Sequence, residues 1–385
     1  MAKPAKVPID HPGTFIAEEL EERGWAQADL AYILGWDVSQ LNRLIKGVTH
    51  ITPDSALALG DAFDMSPEFF MNLQKLYDLQ QARRADPGVR TRAAWLSVFP
   101  VREMIKRGWI EDTEPALLDL QMMRFFDKNR VEDIPFANDV PVIAHAAKKS
   151  GYEDTTPVQY VWLHRVKKLA EQIEAPLYSE DALRKALPSI RAHMMDKDDF
   201  GKIPEILHKC GVRFVIVEAL PGSKIDGVCL WLNDQPVIGL TLRLDRPDNF
   251  CFVLRHEIEH VLRGDGKEET FAPVDEASAA SDGEEPETVP EKPACEIEAD
   301  SAAADFCVPQ ELLASFILRK SPYISEQDVL AFAARVQIHP GVVVGQVQNR
   351  TRKFNWLRKY QTGVRTRLLE WKHKDGWGFQ APTGL

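Results

Sequence analysis

The chain has no C-x-x-C pair. Its five cysteines, Cys210, Cys229, Cys251, Cys295 and Cys307, are odd in number and widely spaced. That pattern suggests neither a disulfide framework nor a cysteine zinc site, and the cysteines read as small buried hydrophobes. No apolar run approaches the roughly 20 residues that span a bilayer. The opening MAKPAKVPIDHPG holds no apolar stretch of the kind that directs secretion. The expected compartment is therefore the cytoplasm, with no membrane partner. Internal repeats are missing too. What remains is an ordinary globular composition, 44% hydrophobic and 27% charged, over 385 residues, enough for two or three domains.

The formal charge of −11 is unevenly spread. Residues 265–292 hold ten acids against two bases, whereas residues 350–375 hold nine bases against two acids. Partners must therefore be argued segment by segment.

Four segments follow from pattern. Residues 1–84 read as an all-α unit with short amphipathic helices. Phe15, Ile16, Leu20 and Trp25 mark the first of these. AQADLAYILGW and DVSQLNRLIKG follow, with Asp37 as N-cap of the second and Gly47 as its stop. Thr52-Pro53 and Ser66-Pro67 start two more helices. Residues 85–200 form a helical connecting region. Residues 201–350 change character: VRFVIV, GVCLWL and PVIGLTL read as strands of a small sheet. The helix NFCFVLRHEIEHVLRG then ends at Gly264. Within this segment 265–293 is acidic, poor in large apolar residues and expected to be a disordered insertion. Helices resume at 294–308, 309–319 and 325–336, and residues 351–385 form a basic, aromatic tail. The expected fold class is mostly α with a small β-sheet.

Residues 255–260 read RHEIEH. Residues four apart share a helix face, so His256 and His260 can reach one ion, with Glu257 close beside it. H-E-x-x-H is the signature of zinc metallopeptidases. Its setting among Phe250, Phe252, Val253, Leu254, Val261 and Leu262 makes unpartnered polar groups costly. A catalytic zinc takes three protein ligands and leaves a position for water. Downstream, ACEIEADSAAADFCVP places Glu296 and Asp300 one turn apart. Glu296 is the expected third ligand, with Glu298 as rival, and Asp300 is expected to accept the outer N–H of a ligand histidine. A plainer reading makes both acids the end of the acidic insertion.

HEIEH followed by EIEADSAAADFCVP resembles the ImmA/IrrE-type metallopeptidases. The match holds at His256, Glu257, His260, Glu296, Ala299, Asp300, Ala303 and Pro309. It departs at Glu259, where glycine is usual, at Ala302, where phenylalanine is common, and in the acidic insertion. The resemblance covers about residues 201–350 and implies an α+β zincin-like domain holding Zn2+. It implies cleavage, or controlled release, of a partner repressor in stress or toxin–antitoxin circuits. In peptide hydrolysis Glu257 would act as the base. His339 is the candidate oxyanion stabiliser, with helix capping as its alternative role. GVCLWL, if it is a sheet edge, could receive an extended substrate.

Residues 11–79, from HPGTF to QKLYDL, resemble the helix-turn-helix domain of HigA-type antitoxins, and a homodimer is expected. A recognition helix enters the major groove by its N-terminal residues. That nominates Val38, Ser39, Gln40, Asn42 and Arg43 for base edges, with Gln27 and Lys46 near phosphate. Charge opposes the idea, because residues 1–80 hold six bases and twelve acids, while affinity for DNA rests largely on phosphate neutralisation. Operator DNA and docking of a protein partner both stay open. So does a HigA-like regulator whose peptidase fold is structural. The tail could stack on nucleic acid, lie against the acidic insertion, or form a solvated helix.

Overall fold

Proline fixes φ near the helical value and needs no hydrogen-bond acceptor at the first helical position, and this chain uses it repeatedly to start helices. A computed structural model describes residues 10–82, 86, 88–112, 114, 117–136, 155–267, 274–276 and 293–381. These are mostly helical with one small mixed sheet, and the chain divides into two units, Met1–Pro87 and Gly88–Leu385.

The first unit contains α1 (Pro12–Arg23), α2 (Gln27–Leu34), α3 (Val38–Ile45), α4 (Pro53–Phe63) and α5 (Pro67–Gln81). Thr52 caps α4 through the Ser55 N–H, as its sequence predicts. Asp37 and Ser66 occupy N-cap positions without a side-chain cap bond; the Ser66 hydroxyl pairs with Glu68 instead. Gly24 and Gly35 end α1 and α2 at φ +66°, a conformation that costs glycine little. Ile16, Leu20, Leu30, Leu41, Leu59, Phe63 and Phe70 form the core.

The second unit opens with α6 (Gly88–Leu96), α7 (Val101–Lys106), α8 (Leu118–Phe125), α9 (Pro157–Glu171), α10 (Glu180–His193) and α11 (Ile203–Lys209). Strands β1 (Arg213–Val217), β2 (Ile225–Leu232) and β3 (Gln235–Leu240) follow, then α12 (Pro247–Arg263) and β4 (Val274–Glu276). The rest comprises α13 (Ala294–Cys307), α14 (Gln310–Lys320), α15 (Glu326–Val336), α16 (Pro340–Thr351), α17 (Arg365–Leu368) and β5 (Lys374–Asp375). Among the described residues no single helix is long and apolar enough to cross a membrane.

The sheet runs β4-β2-β3-β1-β5. β1 is parallel to β3 and β5, and β2 is antiparallel to β3 and β4. Asn233 and Asp234, both at positive φ, close the β2–β3 hairpin, as the right-handed twist of a tight hairpin requires. Side chains alternate between faces. Val215, Val217, Val228 and Val237 pack with Trp95, Phe126, Trp162 and Val166 from the preceding helices. Phe214, Ile216, Cys229 and Ile238 pack with Phe250, Leu254, Ile258 and Val343. Within 85–200, read from sequence as a connecting region, helices α6–α9 thus supply one of the two layers that cover the sheet, while α10 packs in the other.

Most of the 265–293 insertion lies outside the described residues. The basic tail is built into the second unit: the Trp371 indole donates to Phe214 O, and Asp375 in β5 binds Arg165 at 2.5 Å and Trp109 at 2.9 Å. Its cations are engaged as well, Lys359 with Glu326, Arg367 with Asp198, and Arg365 with Leu242 O.

Candidate functional site

α12 carries His256, Glu257 and His260, and its N-terminus is held by neighbouring side chains. Pro247 begins it, and Asp248 takes two hydrogen bonds from Arg246. Burial raises the Asp248 carboxyl above its ordinary range, opposed by that guanidinium. A Cβ at Gly345 would overlap Asp248, so α16 lies close against this turn only because the position is glycine.

Farther along α12, His256, Glu257 and His260 are buried. The two imidazole Nε2 atoms stand 2.9 Å apart. Glu296, from α13, brings Oε2 to 3.2 Å from His256 Nε2 and Oε1 to 3.4 Å from His260 Nε2. Each residue offers one ligand atom, all within 4.8 Å of one another. Ligands on zinc bonds of about 2.0–2.2 Å at tetrahedral angles stand roughly 3.3–3.5 Å apart, close to these spacings.

The outer ring nitrogens explain the arrangement further. His256 Nδ1 lies 3.1 Å from Asp300 Oδ1, and His260 Nδ1 lies 2.9 Å from Asp265 Oδ2. A carboxylate holds the ring proton on Nδ1 and leaves Nε2 as a lone pair. The two Nε2 atoms and the Glu296 carboxylate converge in a buried space. Imidazole nitrogens and a carboxylate oxygen are the donor types that zinc takes. The residues present therefore fit a divalent metal of the zinc type.

Asp265 is a second-carboxylate partner that the sequence reading missed. Gly264 caps α12 at φ +75°, with its N–H on Val261 O and the Asp265 N–H on His260 O. This left-handed turn brings residue 265 back over the last helical turn. A glycine stop followed by aspartate, four and five residues after the second histidine, was the available signal.

Gly227, in β2, was missed as well. A Cβ there would overlap Glu257 Oε1 and lie 2.7 Å from Val253 Cγ1. The strand can approach the Glu257 carboxylate because it has no side chain at that point. Glu259 pairs with Arg255 at 2.6 Å. Glu298, the rival ligand, is exposed and pairs with Arg263. His339 is not brought into the cluster: it caps α16, its Nδ1 accepting the Gly341 N–H at 3.0 Å, and its neighbour is Phe200. Its ring nitrogen is thus used in the capping role that the sequence left as the alternative, as His11 caps α1 through Gly13.

In the first unit α2 and α3 pack through Leu30, Ala31, Leu41 and Leu44. Val38, Ser39, Gln40, Arg43 and Lys46 are exposed, and Gln27 and Asn42 are half-buried. Tyr32, which the sequence reading passed over, is 89% exposed on α2. His50 is held by Gln74 at 2.9 Å and Asp78 at 3.2 Å.

Residues 16–70 match the helix-turn-helix family. Virulence-associated protein I of Dichelobacter nodosus is 32% identical over 80 residues, which is 20% of this chain and 74% of that protein. The uncharacterized HTH-type transcriptional regulator YddM of Escherichia coli (strain K12) is 30% identical over 73 residues, 19% of this chain and 78% of that one. A solved structure of Pseudomonas aeruginosa antitoxin HigA with the higBA promoter is 29% identical and covers 24% of this chain and 99% of that chain, at a TM-score of 0.19.

Proposed function

Through residues 16–70 the chain belongs to the helix-turn-helix family, and we propose that it joins an operator-binding module of the HigA type to a zinc-dependent endopeptidase of the ImmA/IrrE type. The observation that carries the enzymatic half is the convergence of His256 Nε2, His260 Nε2 and a Glu296 carboxylate in one buried place. Those three side chains would hold zinc, with Asp300 and Asp265 orienting the imidazoles. When bound, zinc supplies a Lewis acid that activates water and polarises the scissile carbonyl. Glu257 takes the proton of the attacking water on its carboxylate and passes it to the leaving amine. The apolar walls of α12 and β2 keep bulk water from that carboxylate.

The DNA half rests on family membership and on α3, where Gln40 and Arg43 are exposed and Asn42 is half-buried. Gln40, Asn42 and Arg43 have the side chains that read adenine and guanine edges, and pairing of two copies doubles the phosphate contacts. Its substrate is a partner regulator, cut or released in a stress-response or toxin–antitoxin circuit in the cytoplasm. A HigA-like regulator with an inert second unit would need no convergent acceptors, and the donor set favours the enzyme.

The test combines metal analysis with Glu257→Gln. The variant is expected to bind zinc as the parent does and to lose partner cleavage. A variant that keeps both zinc and every activity of the parent ends the enzyme reading.

A further inference from the structure

Among the described residues, the acidic insertion joins the sheet at Val274–Glu276. Val274–Glu276 pairs antiparallel with the outer edge of β2, with Ile225 opposite Glu276, Gly227 opposite Asp275 and Val228 opposite Val274. Gly227 is also the strand position that lies against the Glu257 carboxylate. The chain's own backbone therefore runs along the β2 edge at the point nearest the proposed general base. An exposed edge is where an extended peptide adds by main-chain hydrogen bonds.

We infer that residues 274–276 are a built-in competitor that holds the β2 edge closed to an extended peptide. This rests on the peptidase reading for its purpose, while the occupancy of the edge is a separate matter of strand pairing. Among the described residues β4 covers only the first half of β2, from Ile225 to Val228; Cys229–Leu232 have no partner on that side. A three-residue strand makes few main-chain bonds, and its advantage is that it is tethered. A partner segment extended along all eight residues of β2 makes more bonds and displaces it. The substrate class that fits is an unstructured stretch of at least that length. A folded surface would not fit, and β4 is the part of the described chain that must move.

The experiment uses the full chain loaded with zinc and a fluorescein-labelled peptide of sequence FAPVDEASA, residues 271–279. Fluorescence anisotropy measures its affinity for the parent and for a variant carrying Val274→Pro, Asp275→Gly and Glu276→Pro. The released variant is expected to bind the peptide at least about ten-fold tighter and to hydrolyse fluorescent casein about ten-fold faster. Alanine at the same three positions keeps parental behaviour, because pairing uses the backbone. If the triple variant lacks a cooperative melt, Asp275→Pro alone carries the comparison. Equal peptide affinity in parent and released variant overturns the competitor, whatever happens to hydrolysis. Tighter peptide binding with no hydrolysis in any variant upholds the competitor and removes the peptidase reading instead.

Discussion

Asp300 and Asp265 each set a carboxylate beside the Nδ1 of one histidine, at 3.1 and 2.9 Å. Without a carboxylate on Nδ1, either tautomer is open to a neutral imidazole, and only one presents Nε2 to a metal. Removing such a partner typically weakens metal binding 10–100-fold. Asp265→Ala and Asp300→Ala are each expected to lower zinc affinity by about that factor in a chelator competition. Glu259→Gln, which loses only the Arg255 pair on the flank of α12, should leave it unchanged. Equal affinities in all three proteins would show that the two aspartates merely decorate the surface. That His256, His260, Glu296 and Asp300 come together was legible because residue type and helical spacing specify them together. Asp265 was not, since its role depends on a left-handed turn that folds the chain back on itself.

Elements differ in how much of them the sequence displayed. The bounds of α12, α13 and the β2–β3 hairpin were visible in apolar periodicity, capping and turn residues. The layer made by α6–α9 was not, because periodicity says that a helix has a buried face and not what covers it. Gly227 is another case: a glycine in a strand signals close approach, but only the fold shows that Glu257 is the approaching group. Gly227→Ala is expected to cost about 1–3 kcal/mol through overpacking and to reduce hydrolysis by displacing the Glu257 carboxylate, as read by a melt and an activity assay. An unaltered melting temperature would mean that β2 moves away freely. On α9, His164 is 6% exposed among Phe125, Phe126 and Tyr160, and burial lowers its pKa to about 4. The unfolded chain, with an ordinary histidine pKa near 6.5, therefore takes up the proton first as pH falls. Stability is full above about 6.5 and is lost between there and about 4, by on the order of 3 kcal/mol. Denaturant titrations of His164→Phe should show a correspondingly flatter acid limb; an identical limb would mean that another group sets it.

At the scale of the whole molecule, charge decides which part can meet DNA. The first unit is acidic overall, with six bases against twelve acids in residues 1–80, and Arg43, Lys46 and Lys75 are exposed there. The obvious alternative source of phosphate contacts is the basic tail. Several of its cations are spent inside the second unit, on Glu326, Asp198 and the Leu242 carbonyl, and Trp371 is buried. Operator affinity should therefore come from the first unit and rest on few phosphates. Counterion release gives a slope of about −0.9 per neutralised phosphate in log K against log salt. Three cations in each of two copies predict a slope near −5 for a dimer, by the same rule. The full chain and a fragment of residues 1–87 should share that slope in fluorescence titrations. Lys46→Ala should make it shallower by about 1 per copy without changing sequence preference, whereas Arg43→Ala should cost about 1–3 kcal/mol on the preferred sequence alone. A steeper slope in the full chain would return the tail to the interface. No sequence preference at low salt in either protein would leave the first unit as a docking module for protein.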